Sequence, residues 1–322
     1  MKARCQTRRA RPRHWPCVLL ALVIGPIAVL GFQVRPGAIR SQLAWFDRTG
    51  KRLTVLGNIA DYGNVELSPD GKHVAVALSD AARRMRELWV YDIATGRRTM
   101  FSANPADENW LIFSPDGRRV VFNSARNGGL DLYQASSSAK KEEQALLVDR
   151  LAKWPVSWSA DGRYVLYVTS GEQTSNDIWV LPLFGDRKPY PFLQTAAAEN
   201  WAAFSPDGRL VAYSSTESGQ AEVFVTTFPR SSLKWVVSRA GGSQARWRRD
   251  GKELFYLGTD RILMSVPVTR QGSDPEFGVA QPLFEIHLAY GQYHAYDVAA
   301  GGQQFLVNSL IGTPGVPAVA AH

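Results

Sequence analysis

A tight turn closed by glycine recurs along this chain at a nearly constant interval, and no other feature restricts its fold as strongly. The turns end at Gly71 (LSPDGKHVAVAL), Gly117 (FSPDGRRVVFNS), Gly162 (WSADGRYVLYVT), Gly208 (FSPDGRLVAYSS), Gly251 (WRRDGKELFYLG) and, in a degenerate copy, Gly302 (DVAAGGQQFLVNS). Their successive spacings are 46, 45, 46, 43 and 51 residues. A fixed period in this range marks a propeller blade or a repeat array. Helical units of similar length are excluded by content: beside each turn the chain runs or alternates in Val, Tyr, Phe and Leu for about six positions, which is strand behaviour.

The turn has its own mechanism. Pro presets φ for the first central position of a type I turn, Asp suits the second, and Gly takes the left-handed position that follows. The repeated Asp therefore reads as a turn residue rather than a catalytic one. A second hairpin follows each turn, opened by an acid at a steady offset: Glu87, Asp131, Asp177 and Glu222 lie 16, 14, 15 and 14 residues after their glycines. Four antiparallel strands per period make a blade.

The chain ends complement each other. Gln42–Gly57 (QLAWFDRTGKRLTVLG) has the form of a third-and-fourth-strand hairpin, and Tyr296–Ser309 (YDVAAGGQQFLVNS) that of a first hairpin. Six turns then give an all-β, six-bladed β-propeller of four-stranded blades over 42–310, closed by a blade shared between the N- and C-terminal strands, with a flexible tail at 311–322.

Charge separates body from leader. The chain carries a net +8, but the first 40 residues hold eight Lys/Arg and no acid, leaving 29 basic and 29 acidic residues in the rest. A neutral body lacks the basic footprint that nucleic acid requires. Residues 1–14 form a basic flank, and 15–34 (Trp15 to Val34) are uncharged. Twenty helical residues span roughly 30 Å, one hydrocarbon core. This pattern predicts one N-terminal transmembrane helix acting as an uncleaved signal anchor, then a linker at 35–41. Val29 and Gly31 offer only a weak cleavage site for the alternative, a cleaved signal. Either way the basic flank stays in the cytoplasm and the propeller faces the periplasm from the inner membrane. Both cysteines, Cys5 and Cys17, lie in the leader, so the body has neither disulfide nor thiolate metal site.

The wording of the repeats carries a resemblance. LAWFDRTGKRL (Leu43–Leu53), LPLFGDRKPYPFLQT (Leu181–Thr195), SRAGGSQARWRRDGKELFYL (Ser238–Leu257) and QQFLVNS (Gln303–Ser309) resemble the TolB-type, WD-repeat-like six-bladed propellers of bacteria. Within that group they are most similar to the carboxy-terminal propeller of bacterial, especially acidobacterial, serine/threonine kinase-like proteins. The resemblance covers about 40–310 and implies a non-catalytic propeller joined through a membrane span to something else. These 322 residues contain no Gly-rich phosphate loop, no His-Arg-Asp loop and no Asp-Phe-Gly, so kinase chemistry is not expected here. GTPGVPAVAAH stands in place of that family's apolar last strand.

No catalytic constellation emerges. The five histidines, His14, His73, His287, His294 and His322, show no ligand spacing, and no G-x-S-x-G elbow exists. No cofactor or metal is expected, and the rival reading is a metal-dependent, lactonase-like hydrolase centred on the channel. The innermost strand of each blade begins about seven residues before its glycine. Positions eight and seven before the six glycines are Gly63-Asn64, Asn109-Trp110, Trp154-Pro155, Asn200-Trp201, Ser243-Gln244 and His294-Ala295. From these, Asn109, Trp110, Trp154, Asn200, Trp201, Gln244 and His294 are the candidate partner-binding residues at the channel mouth. Exposed aromatics with amides suit an envelope or periplasmic protein or peptide. Trp89, Trp179, Tyr133 and Phe224 read as blade core, and the basic cluster Arg246–Lys252 as solvated surface.

Overall fold

The computed structural model describes residues 40–311 except 81–82, 84, 103, 138–142, 172–173, 272–273 and 290–293. The expected basic flank, the membrane anchor, nearly all of the linker and the tail beyond 311 lie outside the described residues.

The repeated turn forms as its chemistry dictates. All six closing glycines are left-handed, with φ between 67° and 73°. In the first turn Ser68 Oγ donates to Asp70 Oδ1 (2.6 Å), which also accepts from Lys72 N (3.0 Å), while His73 N donates to Ser68 Oγ (2.9 Å). The same three bonds recur at Ser114/Asp116, Ser159/Asp161 and Ser205/Asp207. The serine hydroxyls hold Asp70 and Asp116 below the usual carboxylate range. The aspartate's work is to close the turn.

Six antiparallel sheets result. Blade 1 spans 62–100, blade 2 spans 111–147, blade 3 spans 153–193 and blade 4 spans 199–236, each with four strands in sequence order. Blade 6 joins Tyr296–Val298 and Gln304–Leu310 to Ser41–Asp47 and Arg52–Ala60; Ser41 pairs with Leu310 and Asp47 with Gln304. Blade 5 departs from the four-strand expectation. Its third strand, Ile262–Gln271, is ten residues long, and two outer strands share it: Gln281–Glu285 on its first half and Asp274–Phe277 on its second. That extra hairpin accounts for the 51-residue spacing between Gly251 and Gly302.

Six apolar clusters hold the blades together, one at every junction. Phe101, Leu111 and Tyr133 join blades 1 and 2; Ile112, Trp158 and Tyr167 join 2 and 3; Val168, Phe204 and Tyr213 join 3 and 4. Leu210, Tyr256 and Val266 join 4 and 5; Phe255, Tyr296 and Phe305 join 5 and 6; Leu43, Tyr62 and Leu306 join 6 and 1. Tyr133 and Phe224 are core as expected, while Trp89 and Trp179 are half-buried against it. Burial of a large apolar side chain contributes about 1.5–3 kcal/mol, so each junction is a substantial share of the total.

The third-strand acids fasten blade to blade. Asp131 receives the buried Lys153 ammonium (3.0 Å), which also donates to Leu151 O and pairs with Asp149. Glu222 accepts from Ser238 Oγ and from Gly241 N, pinning the link between blades 4 and 5.

Candidate functional site

The innermost strands do not run straight to the channel mouth. Their pairing slips by one residue between Asn200 and Ala203, and between Ser243 and Arg246, so each carries a bulge. Trp201 and Gln244 sit in these bulges at φ 58° and 55°, a left-handed conformation that costs a non-glycine residue about 1–2 kcal/mol. Compensation is visible at both. Gln244 Oε1 accepts from Ala295 N (2.8 Å), and its carbonyl accepts from Tyr296 Oη (2.8 Å). Trp201 meets two other rings: Trp110 at 5.6 Å and His294 at 5.1 Å between centroids, with Trp110 and His294 themselves 5.0 Å apart. These three come from blades 4, 2 and the approach to blade 6, so alternate blades converge on the axis. Asn123 fixes the Trp110 backbone: its Oδ1 accepts from Asn109 N (3.2 Å) and Trp110 N (3.0 Å), and its Nδ2 donates to Lys153 O of the next blade (2.9 Å).

Five of the seven sequence candidates line one cavity of about 390 Å³ at this mouth: Asn109, Trp110, Trp154, Asn200 and Trp201. Asp107 and Asn176 complete its polar rim, and Leu130, Val156 and Val168 its apolar wall. Asn109 Nδ2 donates to Asp107 Oδ2 and Asn176 Nδ2 to Asn200 Oδ1, both at 2.8 Å, so the rim is tied together by its own amides. Gln244 and His294 are not among its lining residues. Both are 2% exposed, and they pack behind the cavity as framework.

Deeper in the channel lies a charged layer that sequence reasoning assigned elsewhere. Arg246, expected on the solvated surface, is largely buried. Its guanidinium meets Glu66 Oε2 (3.1 Å), Asp297 Oδ1 (3.8 Å) and His294 Nδ1 (2.5 Å). Asp297 Oδ2 in turn accepts from Leu67 N (2.7 Å), joining blade 6 to blade 1. The signal was present but needed all six copies aligned. Glu66, Ile112, Ser157, Ala203, Arg246 and Asp297 each stand five residues before a turn glycine, and opposite charges occupy equivalent positions. Those residues open on a second cavity, of about 310 Å³, at the end of the channel where the repeated turns lie.

This layer has a sign in its response to pH. Burial pushes the Glu66 carboxyl up, to about 8, with Arg246 opposing the rise and Asp297 adding to it. Burial and the Arg246 charge hold His294 well below its usual range, leaving it neutral, with Nδ1 accepting from the guanidinium. An unfolded chain releases the Glu66 proton near its ordinary value of 4.5, whereas the folded chain keeps it to about 8. Between those values the folded state binds more protons, so this group's contribution to stability falls as pH rises. Glu66→Gln is expected to flatten that fall. Urea midpoints of both proteins at about pH 5 and about pH 8 check it, and an equal drop in the two removes Glu66 as the source.

Among the described residues no three His, Cys, Asp or Glu side chains group as metal ligands. No family model matches the chain. A 171-residue stretch is 26% identical to the Tol-Pal system protein TolB of Francisella tularensis, covering 53% of this chain and 39% of that protein. The chain thus matches about two-fifths of the length of this curated relative. By structure it superposes on a putative TolB from Agrobacterium tumefaciens with a TM-score of 0.71 at 17% identity, over 86% of this chain and 100% of that one. The fold is that of a TolB-like six-bladed propeller. The likeness extends more distantly to an oligogalacturonate lyase from Vibrio parahaemolyticus, with a TM-score of 0.53 at 13% identity over 77% of this chain and 75% of that one. One TolB-like ring therefore also occurs in an enzyme, and fold alone does not assign chemistry.

Proposed function

We propose that this TolB-like propeller is a non-catalytic, protein-interaction or ligand-sensing module whose working surface is the Trp- and Asn-lined channel mouth. The observation that carries the reading is the convergence of five residues from equivalent positions of blades 2, 3 and 4 on one cavity of about 390 Å³. That size suits a small ligand or a short stretch of a partner's chain. Against catalysis stands the use already made of the buried charges: Glu66 and Asp297 are engaged by Arg246, and Lys153 by Asp131 and Asp149.

The basic flank and uncharged stretch at 15–34 support an inner-membrane anchor with the propeller in the periplasm. An envelope protein or peptide is then the natural partner class, in keeping with the Tol-Pal system named for the Francisella relative. The resemblance to propellers of kinase-like proteins adds a second form of the same reading, a detached regulatory domain for a separate kinase.

The test is in-cell crosslinking with affinity capture, comparing the intact chain with a Trp154→Ala, Asn200→Ala double variant that spares the axial cluster of Trp110, Trp201 and His294. A discrete envelope partner captured by the first and lost from the second is the expected result. Identical capture by both, with equal melting temperatures, would place the working surface elsewhere.

A further inference from the structure

The hydrogen-bonding inventory of the channel-mouth cavity is one-sided. Trp154 and Trp201 line it, and no atom of the protein accepts from their indole N–H groups, although neither nitrogen is sealed from solvent. Asn200 accepts at Oδ1 from Asn176, while its Nδ2 donates to nothing in the protein. The acceptors on the rim are already engaged. Asn176 Oδ1 accepts from Ser170 Oγ (2.8 Å), and Asp107 accepts from Arg86 N and from Asn109 Nδ2 (each 2.8 Å). No Lys, Arg or His lines the cavity, and its one formal charge is the Asp107 carboxylate. What remains on offer is three donor groups set among indole faces and an aliphatic wall of Leu130, Val156 and Val168.

We infer that the mouth binds a proline-rich stretch in the polyproline II conformation. This rests on the proposed role of the mouth as the binding surface and names the chemistry of what enters it. Free donors call for a ligand that brings acceptors and few donors of its own, because a buried unpaired N–H costs about 1–3 kcal/mol. A run of prolines has carbonyl oxygens and no backbone N–H. Its pyrrolidine rings offer flat apolar faces to tryptophan, and its extended helix is already ordered, so little entropy is lost on binding. An anionic ligand finds no cation here. An ordinary extended peptide brings N–H groups for which the rim has no uncommitted oxygen.

The experiment titrates the full chain, in detergent, into a fluorescein-labelled decaproline peptide and, as control, a Gly-Ser peptide of equal length, read by anisotropy. Trp154→Phe and Trp201→Phe remove the indole donors while keeping aromatic faces. Saturable binding of decaproline, absent for the control and about tenfold weaker in each variant, is expected, since one lost hydrogen bond is worth about that factor. No saturable binding, or binding equal in all three proteins, overturns the inference. In that case the crosslinking result separates the two readings. A partner still lost from the Trp154→Ala, Asn200→Ala variant leaves the mouth as working surface with a different ligand class, and a partner retained removes both.

Discussion

Deleting Gln42–Gly57 is expected to abolish cooperative unfolding. The segment supplies the two outer strands of blade 6, and Ser41–Asp47 pairs residue for residue with Gln304–Leu310. Without it Gln304–Leu310 becomes an open sheet edge, and the cluster of Leu43, Leu56, Tyr62, Val74 and Leu306 between blades 6 and 1 loses two fully enclosed leucines. The junction with blade 5 loses the stacking of Phe46 on Phe284, 5.7 Å apart. Each large apolar side chain removed forfeits about 1.5–3 kcal/mol, and the strand's hydrogen bonds are lost with them. The sum approaches the whole stability of a typical domain, about 5–15 kcal/mol. Scanning calorimetry should replace one sharp transition by a broad, weak one. A sharp transition at the intact chain's temperature would show that the open ring is stable without its shared blade.

The second large effect belongs to Arg246→Ala. Removing the guanidinium leaves Glu66 and Asp297 near each other in the channel with His294 neutral, so no cation remains to offset a buried carboxylate. Breaking a buried ion pair from one side costs about 3–5 kcal/mol. The loss should be largest above the Glu66 value of about 8, where both carboxylates are charged, and smaller in mild acid, where Glu66 keeps its proton. Replacing Arg246 and Glu66 together by Met and Gln should recover much of the loss, because only Asp297 then stays charged and Leu67 N still donates to it. Urea unfolding of the single and double variants measures this directly. Equal losses in both would mean that the arginine acts through its packing rather than its charge.

The sequence disclosed what repeats and hid what does not. The Ser-Pro-Asp-Gly turn is a local device, its bonds spanning at most five residues, so its geometry is legible in any one copy. The positions eight and seven before each glycine were found by counting, and blades 2, 3 and 4 bring theirs together on one cavity. Gln244 and His294 share the count but not the exposure, because the slip at Gln244 turns it toward Ala295 and the axial rings cover His294. Arg246 was misplaced for a related reason. Its neighbours Arg248, Arg249 and Lys252 belong to the turn, and a run of like charge gives no sign that one member points inward. Pairing over 180 residues, as between Glu66 and Arg246, leaves no local trace. The added outer hairpin of blade 5 announced itself only as a long spacing.

The pairing of Ser41 with Leu310 has a mechanical consequence. Arg40 O accepts from Ile311 N, so the backbone enters and leaves the propeller side by side, at the same end of two antiparallel strands. A pull that separates those two points loads the inter-strand hydrogen bonds one at a time, starting from that end, as a zip is drawn. Tension would therefore open blade 6 progressively at low force, whereas the other five blades, loaded only after it parts, would keep their sheets. A ring built this way resists heat as a unit and yields to traction at its seam.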